Sequence, residues 1–202
     1  MKLNLFLAPL VILICTLQVK AGDPPSAVDK RSNAVSSLNA EEQELADLIN
    51  EYRRSKGLKA VPLSASLCRV ARLHATDLSN NYIYGGHCNL HSWSEDPRWS
   101  SCCYTPDHKA AECMWNKPRE LTSYPADGYE IAFYSNHDYP SVRDLVADAL
   151  GGWKSSPGHH DLIINRGKWK TAKWQAMGVG FAGGFTIVWF GEVPDPEGMP
   201  AL

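Results

Sequence analysis

Apolar positions recur at helical spacing in three stretches of this chain and thicken into strand-like runs near its end. In the first stretch Leu45, Leu48, Ile49 and Tyr52 fall at i, i+3, i+4 and i+7, which gives a helix one apolar face. Asn39 with Glu42 three residues on forms a capping box, and Gly57 is placed to end the helix. A second helix is predicted from about Ser64, with Leu67, Val70, Ala71, His74 and Leu78 on one stripe, until Asn80 and Asn81 break it. A third is capped by Ser141 with Asp144 and turns Val142, Leu145, Val146, Ala149 and Trp153 inward before Ser155-Ser156-Pro157-Gly158 stops it. Residues 176–182 and 185–192 are β-prone and flank Gly183-Gly184, the signature of a hairpin with a two-residue turn. Helices flanking a small antiparallel sheet make an α+β domain.

The N-terminus has a different pattern. A basic start at Lys2, an apolar run from Leu3 to Leu17 and the small-residue exit Val19-Lys20-Ala21 read as a signal peptide, residues 1–21. The run is too short to span a bilayer, and no later window approaches about 20 apolar residues. The expected product is a secreted, extracellular monomer, not an integral membrane protein. Residues 22–38 read as a disordered leader; Lys30-Arg31 is either a dibasic processing site, with cleavage after Arg31, or part of an uncleaved arm. A domain over 39–193 and a tail over 194–202 complete the organisation.

About 165 to 180 residues then remain, enough for one domain with a real core. The chain carries 20 Lys and Arg against 22 Asp and Glu. Without Lys2 and Lys20 the balance is 18 to 22, a formal charge of −4 rather than −2. A mildly acidic chain without basic runs is a poor binder of nucleic acid. Of the six cysteines, Cys15 leaves with the signal peptide and Cys68 sits in an apolar helical stripe as a buried free thiol. Cys88, Cys102, Cys103 and Cys113 imply two bridges, 88 to 102 with 103 to 113 or 88 to 103 with 102 to 113, because neighbours 102 and 103 would be strained if paired.

The candidate chemistry lies in three fragments: Cys88-Asn89-Leu90-His91-Ser92, Gly128-Tyr129-Glu130-Ile131-Ala132, and Trp153 to His159. His91, Glu130 and His159 are residue types that bind a divalent metal or exchange protons near neutral pH. These fragments, with Asp161 to Asn165 and Met177 to Ala182, resemble the signatures of the CAP superfamily, which includes pathogenesis-related 1 proteins, cysteine-rich secretory proteins and venom allergens. The resemblance covers most of 39–193 and implies an α-β-α sandwich with His91, Glu130 and His159 in one cleft. The chain departs from the pattern in two places. Trp153 is followed by Lys154, Ser155 and Ser156, so the second glutamate of many eukaryotic members is missing, and residues 92–127 form a long insertion holding three of the four bridging cysteines.

Three such ligands with an open position suit zinc, although the His-x-x-x-His helix spacing of metalloproteases is absent. No Gly-x-Ser-x-Gly elbow supplies a nucleophile. The resemblance implies instead a secreted binding or effector protein for a sterol, another lipid or an extracellular protein. The alternatives are a metal-dependent hydrolase using Glu130 and a defence or venom component acting through its insertion. His74 reads as a core histidine with a satisfied ring, His160 as facing solvent, and the tryptophans mainly as packing.

Overall fold

The computed structural model describes residues 37–201; the signal peptide and residues 22–36 of the expected leader lie outside them. Helix α1 spans Ala40–Ser55, and its capping box joins the Asn39 side chain to the Glu42 amide while the Glu42 carboxylate returns to the Asn39 amide. Helix α2 spans Ala65–Asn81, capped by Ser64. Two short helices follow, α3 Ala111–Trp115 and α4 Lys117–Leu121. Strand β1, Gly128–Tyr134, leads to α5, Val142–Ser155, capped by Ser141. The sequence Ser156-Pro157 ends α5 and at once starts α6, Pro157–Ile163, because proline is tolerated in a first helical turn. Strands β2, Ala176–Ala182, and β3, Phe185–Gly191, close the hairpin. Its two turn residues, Gly183 and Gly184, have φ of +54° and +85°, the left-handed pair that a tight hairpin requires.

The sheet is antiparallel in the order β1-β3-β2. Its register sets two faces. Ile131, Val188 and Val179 align on one and bury against α1, α5 and α6 through Ile49, Val146, Trp153 and Ile163. Ala132, Ile187 and Trp189 lie on the other, under α2 and the 92–127 insertion. β1 was not apparent as a strand in the sequence, since both of its faces are covered and Glu130 interrupts its apolar run. The α-β-α sandwich follows from these two covered faces.

Helix α2 comes unusually near the sheet. A Cβ on Gly178 would stand 2.1 Å from the Leu67 carbonyl carbon, and one on Gly180 2.5 Å from the Arg72 amide nitrogen. Bare glycine backbone in β2 is therefore what lets α2 sit this close. The tail is tied to the same helix: Asp195 accepts from the Ser64 and Ser66 hydroxyls at 2.6 and 2.8 Å and from the Ser66 amide at 2.8 Å.

The insertion is held by the bridges Cys88–Cys103 and Cys102–Cys113, the second of the two pairings expected, and Cys68 is a buried free thiol. Trp93 and Cys102 exchange backbone hydrogen bonds of 2.8 and 3.0 Å across the loop. Lys117, fully buried, bonds Glu120 at 2.7 Å and the Ser100 carbonyl, with its ammonium 5.2 Å from the centre of the Trp93 ring. Trp93 and Trp99 are buried as packing residues.

The Gly178 contact is testable against a control. Gly178→Ala should cost about 3 kcal/mol or more in urea unfolding because the clash is with backbone. Gly151→Ala in α5, where an added methyl meets nothing within 4 Å, should be neutral or stabilising by up to about 1 kcal/mol. Similar free energies for the two variants would contradict this packing.

Candidate functional site

Strand alternation points Glu130 from β1 toward α2, opposite Trp189 in β3. Its side chain is buried and meets two imidazoles. His74 Nδ1 donates to Oε2 at 2.5 Å and His91 Nδ1 donates to Oε1 at 2.8 Å. The other nitrogen of His74, Nε2, donates to the Ser92 carbonyl at 2.9 Å. Both ring nitrogens of His74 thus face acceptors, so both carry hydrogen and the ring pairs with an ionised Glu130 as a buried ion pair. Burial drives a carboxyl group up, but here the charge of His74 and the hydrogen bonds from His74 and His91 outweigh it and hold Glu130 below the usual carboxylate range.

His91 is carried by the segment before the insertion, where the Asn89 side chain accepts from its amide at 2.9 Å and Tyr104 packs edge-on at 5.2 Å between ring centres. With Nδ1 given to Glu130, Nε2 is its remaining nitrogen and has no hydrogen-bond partner among the described residues. His159, near the start of α6, stands 6.2 Å away between ring centres, tilted by 59°. Burial, reinforced by His91, pushes the pKa of His159 down to about 4, so it is neutral at pH 7. The structure therefore brings together the three residues expected in the cleft.

His74 is a buried core histidine with both ring nitrogens bonded, as its place on the apolar stripe predicts, but nothing in that stripe marks Glu130 as its partner. The available signal was a histidine on an otherwise apolar helix stripe, which needs a buried acceptor. Trp93 stacks on its other face at 4.3 Å with the rings 6° from parallel. His160 turns away from the cleft to the Tyr52 hydroxyl at 2.8 Å, and His108 meets the Tyr104 hydroxyl at 2.8 Å.

The fit to a metal follows from the same bonds. Both Glu130 oxygens accept from imidazoles, leaving His91 Nε2 and His159 as the available donors, fewer than the three protein ligands of a catalytic zinc. Among the described residues no group of three or more His, Cys, Asp or Glu is arranged to hold a metal ion. Glu130 instead stands behind His91 as the carboxylate that fixes its ring and tautomer. Cys68 is no nucleophile at neutral pH, since burial pushes its thiol up to about 11.

A recess lies beside the cleft. A pocket of about 400 Å³ opens between the end of α2 and the stapled insertion, with Leu78, Tyr82, Ile83, Trp93 and the Cys88–Cys103 bridge among its walls. Ser92 and Trp93 belong both to this pocket and to the surroundings of His74.

Two predictions test the site. Removing one member of a buried pair strands the other, so His74→Leu and Glu130→Leu should each cost about 3–5 kcal/mol, and the double variant less than either. Additive losses in urea unfolding would refute the pairing. For His159 the folded pKa lies below the unfolded value of about 6.5. The unfolded chain then takes up the proton first as pH falls; the stabilisation is complete above about pH 6.5 and is lost toward pH 4. The fall in unfolding free energy from pH 7 to 4 should be about 2–3 kcal/mol smaller in His159→Gln than in the parent, and equal falls would show that this ring is not desolvated.

The model of the cysteine-rich secretory protein family, CAP, matches residues 46–183. Similar solved structures include a cysteine-rich secretory protein of Staphylococcus aureus at 18% identity, covering 76% of this chain and 38% of that one, with a TM-score of 0.48. An extracellular protein containing an SCP domain from Bacillus anthracis is 20% identical over 75% of this chain and 40% of its own, with a TM-score of 0.49. An outer surface protein of Borrelia burgdorferi is 17% identical over 74% of this chain and 90% of its own, with a TM-score of 0.48. The chain thus spans well under half the length of the first two. Among curated proteins none matches it by sequence. No helix among the described residues is long and apolar enough to cross a membrane. With its family model spanning α1 to the β2–β3 turn, the chain belongs to the cysteine-rich secretory protein, or CAP, family.

Proposed function

We propose that this is a secreted CAP-domain protein acting as an extracellular binding module, with the stapled insertion as its contact surface for a sterol, another lipid or a protein partner. The observation that carries this reading is the commitment of Glu130: both of its oxygens are engaged by His74 and His91, so it is a structural and orienting group rather than a free general base. The adjoining pocket supplies the apolar, concave surface that a ligand needs. Two disulfides and the buried Lys117 hold the pocket wall in place, which limits the ordering entropy lost on binding.

The hydrolase reading has one observation in its favour. His91 is backed by a carboxylate and keeps its second nitrogen, the arrangement of a general base. The two readings separate in one experiment, equilibrium binding of cholesterol alongside a hydrolysis assay. In a binding module, replacing Cys102 and Cys113 by Ser should weaken binding by about 10-fold or more by loosening the pocket wall, while His159→Ala stays within about 2-fold. A loss of about 10²-fold in a hydrolytic rate on His91→Ala, with the loop variant unaffected, would establish the enzyme instead.

A further inference from the structure

We infer that the pocket between the end of α2 and the stapled insertion binds a small amphiphile with a cationic amine head, recognised by the carboxylate of Asp77; this rests on the binding-module reading and specifies its ligand.

Asp77 is 3% exposed and lines the pocket. Its Oδ1 accepts from the Asn81 side-chain amide at 2.8 Å and from the Ser94 hydroxyl, and its Oδ2 accepts from the Ser94 amide at 2.8 Å. A carboxylate offers about four acceptor positions. Three are filled, all by neutral donors, and the vacancy is on Oδ2. No Lys, Arg or His among the described residues pairs with Asp77. Arg98, whose charge senses it, is held by Asp96 through two bonds of 2.8 and 2.9 Å.

These bonds explain how Asp77 shapes the turn at Ser94, but they leave a negative charge in a recess without a counter-charge, an arrangement that a bound cation relieves. The surroundings suit an organic cation better than a hydrated ion. Leu78 and Ile83 are apolar, Tyr82 and Trp93 bring aromatic surface, and the volume of about 400 Å³ falls within the range of small-molecule sites. His87 is the only other lining side chain that can carry charge near neutral pH, and it is exposed. An anionic head would meet Asp77 unfavourably, and a neutral one would leave its charge uncompensated. Beside the pocket, Ile83 is 76% and Tyr84 57% exposed, an apolar lip on which the rest of the ligand can lie.

Three probes sharing one ring system test this by isothermal titration calorimetry at pH 7.5: tryptamine as cation, tryptophol as neutral analogue and indole-3-acetate as anion. Tryptamine should bind at least about 10-fold tighter than tryptophol and about 100-fold tighter than indole-3-acetate, and its affinity should fall as salt rises. Asp77→Asn should abolish the preference for the amine. Ile83→Ala, at an exposed wall position, should weaken tryptamine and tryptophol by similar factors. The probe ranking on the parent protein stands as a test even where Asp77→Asn fails to fold. Equal affinities for amine and alcohol, no binding of tryptamine, or an amine preference that survives in folded Asp77→Asn would each overturn the assignment. Cholesterol binding that depends on the Cys102–Cys113 bridge, without any amine preference, would overturn it while leaving the binding-module reading intact.

Discussion

A single carboxylate, that of Glu130, joins three parts of the molecule that are far apart in sequence. β1 supplies it, α2 meets it through His74 and the segment entering the insertion meets it through His91. Buried charge is tolerated only when it is paired and fully hydrogen-bonded, so each of these elements is constrained by the other two. His74 extends the connection to the Ser92 carbonyl, and Trp93 covers its ring. The close approach of α2 over Gly178 and Gly180 is what brings His74 within reach. A small change in that packing would be felt at the cleft.

The elements with a repeating pattern were legible in the sequence. The caps at Asn39 and Ser141, the apolar stripe that begins near Ser64 and the glycine pair at 183–184 place α1, α5, α2 and the hairpin where the structure has them. Local hydrogen bonding decides such features, and it is written in neighbouring residues. The family motifs brought out His91, Glu130 and His159, but motifs name residues without assigning their bonds. Whether Glu130 faces a metal or an imidazole depends on the depth at which α2 sits, a long-range packing outcome. The same reason hid β1, whose two covered faces give no alternation, and α6, which starts at a proline that reads as a stop. It also left the cysteine pairing open, since only the folded loop brings Cys88 to Cys103.

The insertion gives the domain its second feature. It is built as a rigid wall by two disulfides, paired backbone between Trp93 and Cys102, and an ammonium group buried beneath Trp93. One side of that wall seals the His74–Glu130 pair from water, and the other lines a pocket containing Asp77. Trp93 takes part in both. Its ring packs against His74 at 4.3 Å and also lines the pocket.

The placement of protons around Glu130 decides its role, and long-range proton–nitrogen NMR on protein labelled with ¹⁵N-histidine at pH 7 reads it directly. A buried His74–Glu130 ion pair predicts that both nitrogens of His74 are protonated and that His91 carries its single proton on Nδ1. A neutral His74 with one bare nitrogen, or a His91 protonated on Nε2 alone, would contradict it.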